Sequence, residues 1–213
     1  MTAAPSVGDI IGAVADDVVA AKDELTRLDA VAGDGDLGIT MATAGAALKA
    51  LLPELAGQDL ATLLKRCGSE LARKAPSTSG TLAATAFLRA GRAASDATLG
   101  GTALLAQLAA AAQQGIQERG KAAPGDKTML DALAPAVAAL QQAAGADAAI
   151  PAALADAARA ARAGADATRS MRAKVGRAGW LADRSVGHED GGAYLVALIF
   201  ASAARHLGAA DRT

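Results

Sequence analysis

Apolar residues recur along this chain at intervals of three and four, the period of a helix face rather than of a strand. From Ser6, where Asp9 can complete a weak capping box, Ile10, Ile11, Val14, Val18 and Leu25 share one face, and the helix should run unbroken to the glycine-rich stretch 33–38. A second helix is predicted over 39–52, stopped by Pro53. A third follows Asp59, with Leu60, Leu63, Leu64, Cys67 and Leu71 on one side, and ends before Pro76. Residues 77–80 are expected to form a small polar loop, leading into a fourth helix over 82–94. Thr102 is the expected cap of a fifth helix reaching Glu118. Residues 121–127 are predicted as loop and 128–144 as a sixth helix that Pro135 can bend. Pro151 suits the first turn of a seventh helix extending to Arg172. After a polar, glycine-punctuated stretch over 176–192, an eighth helix should run to Leu207. The linkers are short and no change of composition marks a boundary, so the prediction is one all-α domain over residues 1–213.

Composition strengthens the helical reading. The chain is 52% hydrophobic but only 2% aromatic, and alanine supplies much of the difference. Alanine favours helix, and the scarcity of β-branched and aromatic residues nearly excludes an all-β fold. A net charge of -1 argues against a dominant nucleic-acid surface, which needs clustered basic excess. The most apolar run, 193–204, is short of the roughly 20 residues needed to span a bilayer. The first residues lack a basic, then apolar, signal-peptide pattern, so the expected location is cytoplasmic. The single cysteine, Cys67, excludes an internal disulfide and sits where packing is its expected role.

The most informative segment is Leu28-Asp29-Ala30-Val31-Ala32-Gly33-Asp34-Gly35-Asp36-Leu37-Gly38. Its glycines spell a dinucleotide-binding fingerprint, but a helix precedes it instead of a strand, and the intervening aspartates would repel a pyrophosphate. An EF-hand is the next possibility. The residue that should close such a loop with a bidentate glutamate is Gly45, so this also fails. What remains is three carboxylates, Asp29, Asp34 and Asp36, on a loop between two helices. Hard oxygen ligands without His or Cys suit Mg²⁺, which would bridge these anions to a phosphate. Backbone N–H groups opening the next helix, from Leu37 to Thr40, could then meet that phosphate. The same composition also serves a solvated turn that uses Asp and Gly for left-handed geometry.

Other segments are weaker alone. Ser77-Thr78-Ser79-Gly80 precedes a helix and can be an anion site or an ordinary cap. Residues 120–128 nearly spell a Walker A loop, but Asp126 intrudes before Lys127-Thr128 and no strand precedes. Such a loop could still cover a nucleotide. In 176–192, a structural role would make Trp180 a core anchor and Arg177 and Arg184 surface residues. His188 could act as a base or simply hydrogen-bond within the loop.

Taken together, LDAVAGDGDLG at 28–38, Ser79-Gly80, RGKAAPGDKTM at 119–129 and GRAGWLADRSVGHEDGGA at 176–193 resemble the nucleotide-binding L subunit of dihydroxyacetone kinases, in order and spacing along nearly the whole chain. The resemblance implies an up-and-down barrel of eight antiparallel helices with nucleotide at one end. It implies that Asp29, Asp34 and Asp36 hold two Mg²⁺ ions bridging the phosphates of ADP or ATP. It places Leu37, Gly38, Ile39, Thr40, Thr78 and Ser79 beside those phosphates. Gly120, Met129, Arg177, Asp190, Gly191 and Gly192 would surround the nucleotide, with Met129 against adenine.

The resemblance further implies a kinase subunit whose ketose is held by a separate K-type partner. An M-type phosphotransferase subunit rephosphorylates bound ADP in some systems, while ATP exchanges in others. Transfer would be in-line and metal-assisted, with no protein nucleophile and no catalytic residue of the chain's own. Leu37 stands where many relatives carry a polar residue, which leaves backbone rather than side-chain contacts to phosphate. Gly191 replaces a frequent proline, and Tyr194 a small hydroxyl residue. Alternatives are the same subunit serving erythrulose or another short sugar, or a nucleotide-sensing adaptor that binds a regulator and transfers nothing.

Overall fold

The computed structural model describes residues 5–210, the side chains of Arg177, Ala209 and Ala210 excepted. Among the described residues there are eleven α-helices and no strand. Eight long segments make the frame: α1 (Val7–Ala20), α3 (Leu37–Leu51), α4 (Leu60–Lys74), α5 (Thr78–Ser95), α6 (Gly101–Gly120), α7 (Leu130–Gly145), α8 (Ile150–Ala167) and α11 (Gly191–Ala210). Short connections make chain neighbours antiparallel. Each of these helices packs on the next, and α11 lies between α8 and α1, which closes the ring. This is the eight-membered up-and-down barrel that the resemblance implied. No described helix is long and apolar enough to cross a membrane.

Three shorter helices depart from the sequence expectations. The first helix is not continuous to residue 33: it breaks at Ala21, and α2 (Lys22–Asp29) carries the chain to the acidic loop. Short helices α9 (Gly176–Trp180) and α10 (Ala182–Ser185) occupy the stretch read as polar and irregular. The expected loop at 77–80 is largely helical. Ser77 is the N-cap, its hydroxyl accepting from the Gly80 N–H at 3.1 Å, so Thr78 and Ser79 form the first turn of α5. Thr102 does not cap α6. Gly100 precedes the helix, and the buried Thr102 hydroxyl instead donates to the Ala148 carbonyl at 2.5 Å. The Ser6–Asp9 capping box is present as expected.

Alanine lets the barrel close tightly. Ala153, Ala157, Ala161 and Ala165 form an i, i+4 ridge on α8 with no solvent exposure, facing an equally buried Ala132 and Ala136 on α7. At Gly164 an added Cβ would lie 2.2 Å from the Asp131 carbonyl oxygen, so α7 and α8 approach at backbone distance. Pro135, inside α7, removes the N–H that would otherwise bond that carbonyl. Bulkier side chains fill the space where α3, the 3₁₀ turn after it and α4 meet, and there Leu48, Leu55, Leu64, Cys67 and Leu71 form, with Ala84 and Ala90 of α5, a second apolar cluster. Val18, Leu25, Leu37, Met41 and Leu195 form a third, between α1, α2, α3 and α11. Antiparallel alternation brings the end of α2, the starts of α3, α5, α7 and α11, and the end of α6 to one end of the barrel.

Candidate functional site at one end of the barrel

The acidic loop leaves α2 and re-enters helix at Leu37. Asp29, Asp34 and Asp36 each offer a carboxylate oxygen, all within 4.8 Å of one another, with Asp34 exposed and the other two partly buried. Glycine makes this convergence possible. A Cβ at Gly33 would lie 2.3 Å from the Asp29 Oδ1 atom, and one at Gly38 only 2.0 Å from the Lys22 carbonyl oxygen. Gly35 turns the chain with φ of 75°. Such an oxygen-only donor set fits a hard divalent cation, and three crowded carboxylates gain from one.

Helix starts surround this cluster. The Leu37 N–H, expected to face phosphate, donates to Asp29 Oδ2 at 3.2 Å and so anchors a carboxylate instead. Gly38 and Ile39 follow in the first turn, where N–H groups have no intrahelical acceptor. The Thr40 N–H already bonds the Asp36 carbonyl at 2.9 Å, which leaves its hydroxyl to serve a ligand. Leu37 itself is buried, with its Cδ2 3.0 Å from where a Cβ of Gly191 would stand. That position is also 3.5 Å from the Asp29 nitrogen, so the start of α11 rests directly on the acidic loop.

The opposite rim is built from the loop before α7. A Cβ at Gly192 would meet Met129 Cβ at 3.2 Å, so the Asp190–Gly192 turn bridges the acidic loop and Met129. Gly120 ends α6 against Leu82 of α5, and Thr78 and Ser79 open α5 at the same end. Ser79 and Ser77 share a hydroxyl contact of 3.1 Å. Arg177 lies in α9 by its backbone, and its side chain falls outside the described residues. Asp190 accepts from the Ala193 N–H at 2.8 Å. Desolvation nevertheless pushes its carboxyl up to about 6, against the lowering effect of that bond and of the Lys127 charge.

Three charged residues that sequence reasoning did not single out hold this rim. The Asp131 carboxylate accepts from the Gly125 and Thr128 N–H groups, at 2.5 and 2.8 Å, and shapes the loop. Glu189, almost fully buried, pairs with Arg162 and Arg169. Lys127 is also buried and bonds four backbone carbonyls from the 168–188 stretch. The partners of Glu189 and Lys127 are 20 to 61 residues away in sequence, so local pattern gave no signal for these two, whereas those of Asp131 lie within six residues. Trp180 is not the core anchor that a purely structural role would make it: it is 87% exposed, on α9. A surface cavity of about 700 Å³ lies elsewhere, between the start of α1 and the α3–α4 connection.

An all-α barrel with an acidic, cation-ready loop at the end where helix starts gather is the class that fold and site define. Residues 31–205 match the family model of the DAK2 domain, and the chain belongs to that family. Asp34 and Asp36 fall within the match and Asp29 just before it. The chain is 37% identical, over 79% of its length and 80% of the relative's, to the PEP-dependent dihydroxyacetone kinase, ADP-binding subunit DhaL, of Escherichia coli strain K12. It is 38% identical to the L-erythrulose kinase of Pectobacterium atrosepticum, over 92% of this chain and 34% of that one. The crystal structure of the dihydroxyacetone kinase from C. freundii in complex with AMP-PNP and Mg²⁺ superposes with a TM-score of 0.76 at 28% identity. That match takes in 96% of this chain, which spans about a third of the longer kinase (35%).

Proposed function

We propose that this chain is the nucleotide-binding, phosphoryl-donor subunit of a dihydroxyacetone kinase, with residues 1–213 acting as one unit in the cytoplasm. The observation that carries the reading is the convergence of Asp29, Asp34 and Asp36 to within 4.8 Å beside the start of α3. The relatives support it: one is an ADP-binding subunit, and another kinase was solved with AMP-PNP and Mg²⁺. The ligand proposed is ADP or ATP with two Mg²⁺ held by the three aspartates. When bound, the metal supplies the positive charge that lets an acidic loop and a polyphosphate share one site.

The chain's own groups do the positioning. Gly38 and Ile39 present helix-start N–H groups, and Thr40, Thr78 and Ser79 present hydroxyls, to phosphate oxygens. Leu37 acts through Asp29, its N–H fixing the carboxylate that binds metal. Gly120, Met129, Arg177, Asp190, Gly191 and Gly192 enclose the nucleoside, Met129 supplying the apolar face for adenine. In-line transfer needs no nucleophile from this chain, and the aspartates orient metal rather than abstract a proton. The acceptor ketose is brought by a K-type partner. An M-type subunit that rephosphorylates ADP in place accords with the PEP-dependent relative. The second reading, an erythrulose kinase, draws on the 38% identity to an L-erythrulose kinase along 92% of the chain.

The test mixes the chain with a K-type subunit, Mg-ATP or a PEP-driven phosphotransferase mixture, and either dihydroxyacetone or erythrulose. Phosphorus NMR should show a sugar phosphate whose formation depends on this chain and disappears with Asp34→Ala. The ketose consumed decides between the two kinase readings. Nucleotide binding with no sugar phosphorylated would overturn both in favour of an adaptor.

A further inference from the structure

Lys127 sits in a left-handed backbone conformation, φ 61°, which non-glycine residues seldom adopt. Its side chain runs inward, and the residue is 4% exposed. The ammonium donates to the carbonyls of Thr168 at 2.9 Å, Met171 at 3.1 Å, Ser185 at 2.5 Å and His188 at 2.7 Å. Thr168 and Met171 begin and follow the 3₁₀ turn after α8, and Ser185 ends α10. The Thr168 carbonyl also accepts from the Met171 N–H at 3.0 Å and the Ser185 carbonyl from the His188 N–H at 3.3 Å, so the ammonium takes a second lone pair at each, where carbonyls beyond the end of α8 carry the negative end of its dipole. Ser185 and Thr168 are themselves buried, so water is a poor substitute. A cation with three N–H donors, one of them shared between two carbonyls, can serve these four acceptors where a neutral apolar side chain could not.

We propose that Lys127 is a positioning residue that latches the 168–190 segment onto the loop before α7 and thereby sets the nucleotide rim. Met129 lies two residues beyond Lys127, and Asp190 two beyond His188. One ammonium therefore fixes both walls that meet where Gly192 touches Met129. Further bonds join the latched stretch into one body. The Gly187 N–H donates to Arg169 O at 2.8 Å, the Ala173 N–H to Ser185 Oγ at 3.0 Å, and the Asp190 N–H to Thr168 Oγ1 at 2.9 Å. The Lys174 N–H donates to Asp126 O at 3.2 Å, beside Lys127 itself. The positioning role rests on the nucleotide-binding reading given above.

The latched segment carries its own reporter, because Trp180 is the chain's single tryptophan. Lys127→Met keeps the length of the side chain and removes the cation. Without nucleotide, Trp180 fluorescence anisotropy should fall, and amide exchange at Ala173, Gly187 and Asp190 should quicken at least tenfold. Exchange at Leu64 and Cys67, across the barrel, should not change. Mg-ADP should bind the variant at least tenfold more weakly. Unchanged exchange in a folded variant overturns the latch, and faster exchange with unaltered Mg-ADP affinity overturns its positioning role. Should the variant fail to fold, the unaltered chain decides: Mg-ADP must slow those three amides together, and independent responses refute the proposal. An unaltered chain that binds no Mg-ADP overturns the nucleotide reading itself, and with it the positioning role.

Discussion

Gly33→Ala separates the site from the fold more cleanly than removal of any aspartate. Gly33 does not adopt a left-handed φ, and it lies in a loop rather than in the barrel, so the shift that a Cβ forces, against the Asp29 carbonyl oxygen as well as its carboxylate, is confined to the acidic loop. The new Cβ would stand 2.3 Å from Asp29 Oδ1 and 2.8 Å from the Asp29 carbonyl oxygen. Ordinary contact for such a carbon begins near 3.4 Å, so the carboxylate must retreat by about 1 Å. Mg²⁺ holds oxygen at about 2.0–2.1 Å with little tolerance, so a displacement of that size removes a ligand. A misplacement of about 1 Å can cost on the order of a hundredfold, which corresponds to about 2.7 kcal/mol. The expected result by titration calorimetry is Mg-ADP affinity reduced roughly a hundredfold, with thermal stability within about 1 kcal/mol of the parent. A folded Gly33→Ala protein that binds Mg-ADP like the parent would refute the metal assignment of Asp29.

Three further outcomes are expected. Gly38→Ala drives a Cβ against the Lys22 carbonyl oxygen and the Thr26 nitrogen, at 2.0 and 2.8 Å. Because both are backbone, it should lower the urea midpoint by the equivalent of about 1–3 kcal/mol, whereas Gly145→Ala, with nothing within 4 Å, should be neutral or slightly stabilising. Cys67 has no exposure, and burial pushes its thiol up to about 11, so it should react with a thiol reagent only as fast as the protein unfolds. Rapid labelling of the native protein would contradict that packing. Desolvation raises the Asp190 carboxyl from 3.8 to about 6, so the folded state favours its neutral form. Relative to Asp190→Asn, the unliganded protein should therefore lose stability as pH rises from about 4 through 6, by roughly 3 kcal/mol at most. A pH-independent difference in melting between the two would count against it.

The barrel was legible because helical periodicity and Gly/Pro punctuation are local properties. The acidic loop was legible because its three aspartates lie within eight residues and the competing motifs could be tested one by one. The errors share a cause. The break at Ala21 lies within an uninterrupted apolar pattern, so nothing local announces it. Thr102 has the chemistry of a cap, but its acceptor, Ala148, is 46 residues away. Ser77 took the cap role, pulling Thr78 and Ser79 into the helix. Trp180 has the bulk of a core residue, yet α9 leaves it in solvent. Lys127 was read as part of a failed Walker motif and of the 119–129 resemblance, with no role of its own, because its four acceptors belong to a segment more than forty residues downstream.

The most direct measurement is diffraction at the manganese edge from crystals grown with ADP and Mn²⁺ in place of Mg²⁺. The account predicts two anomalous peaks, both bonded to oxygens of Asp29, Asp34 and Asp36 and both reaching the diphosphate. Bound ADP with no peak at these carboxylates, or peaks held by other side chains, would contradict it.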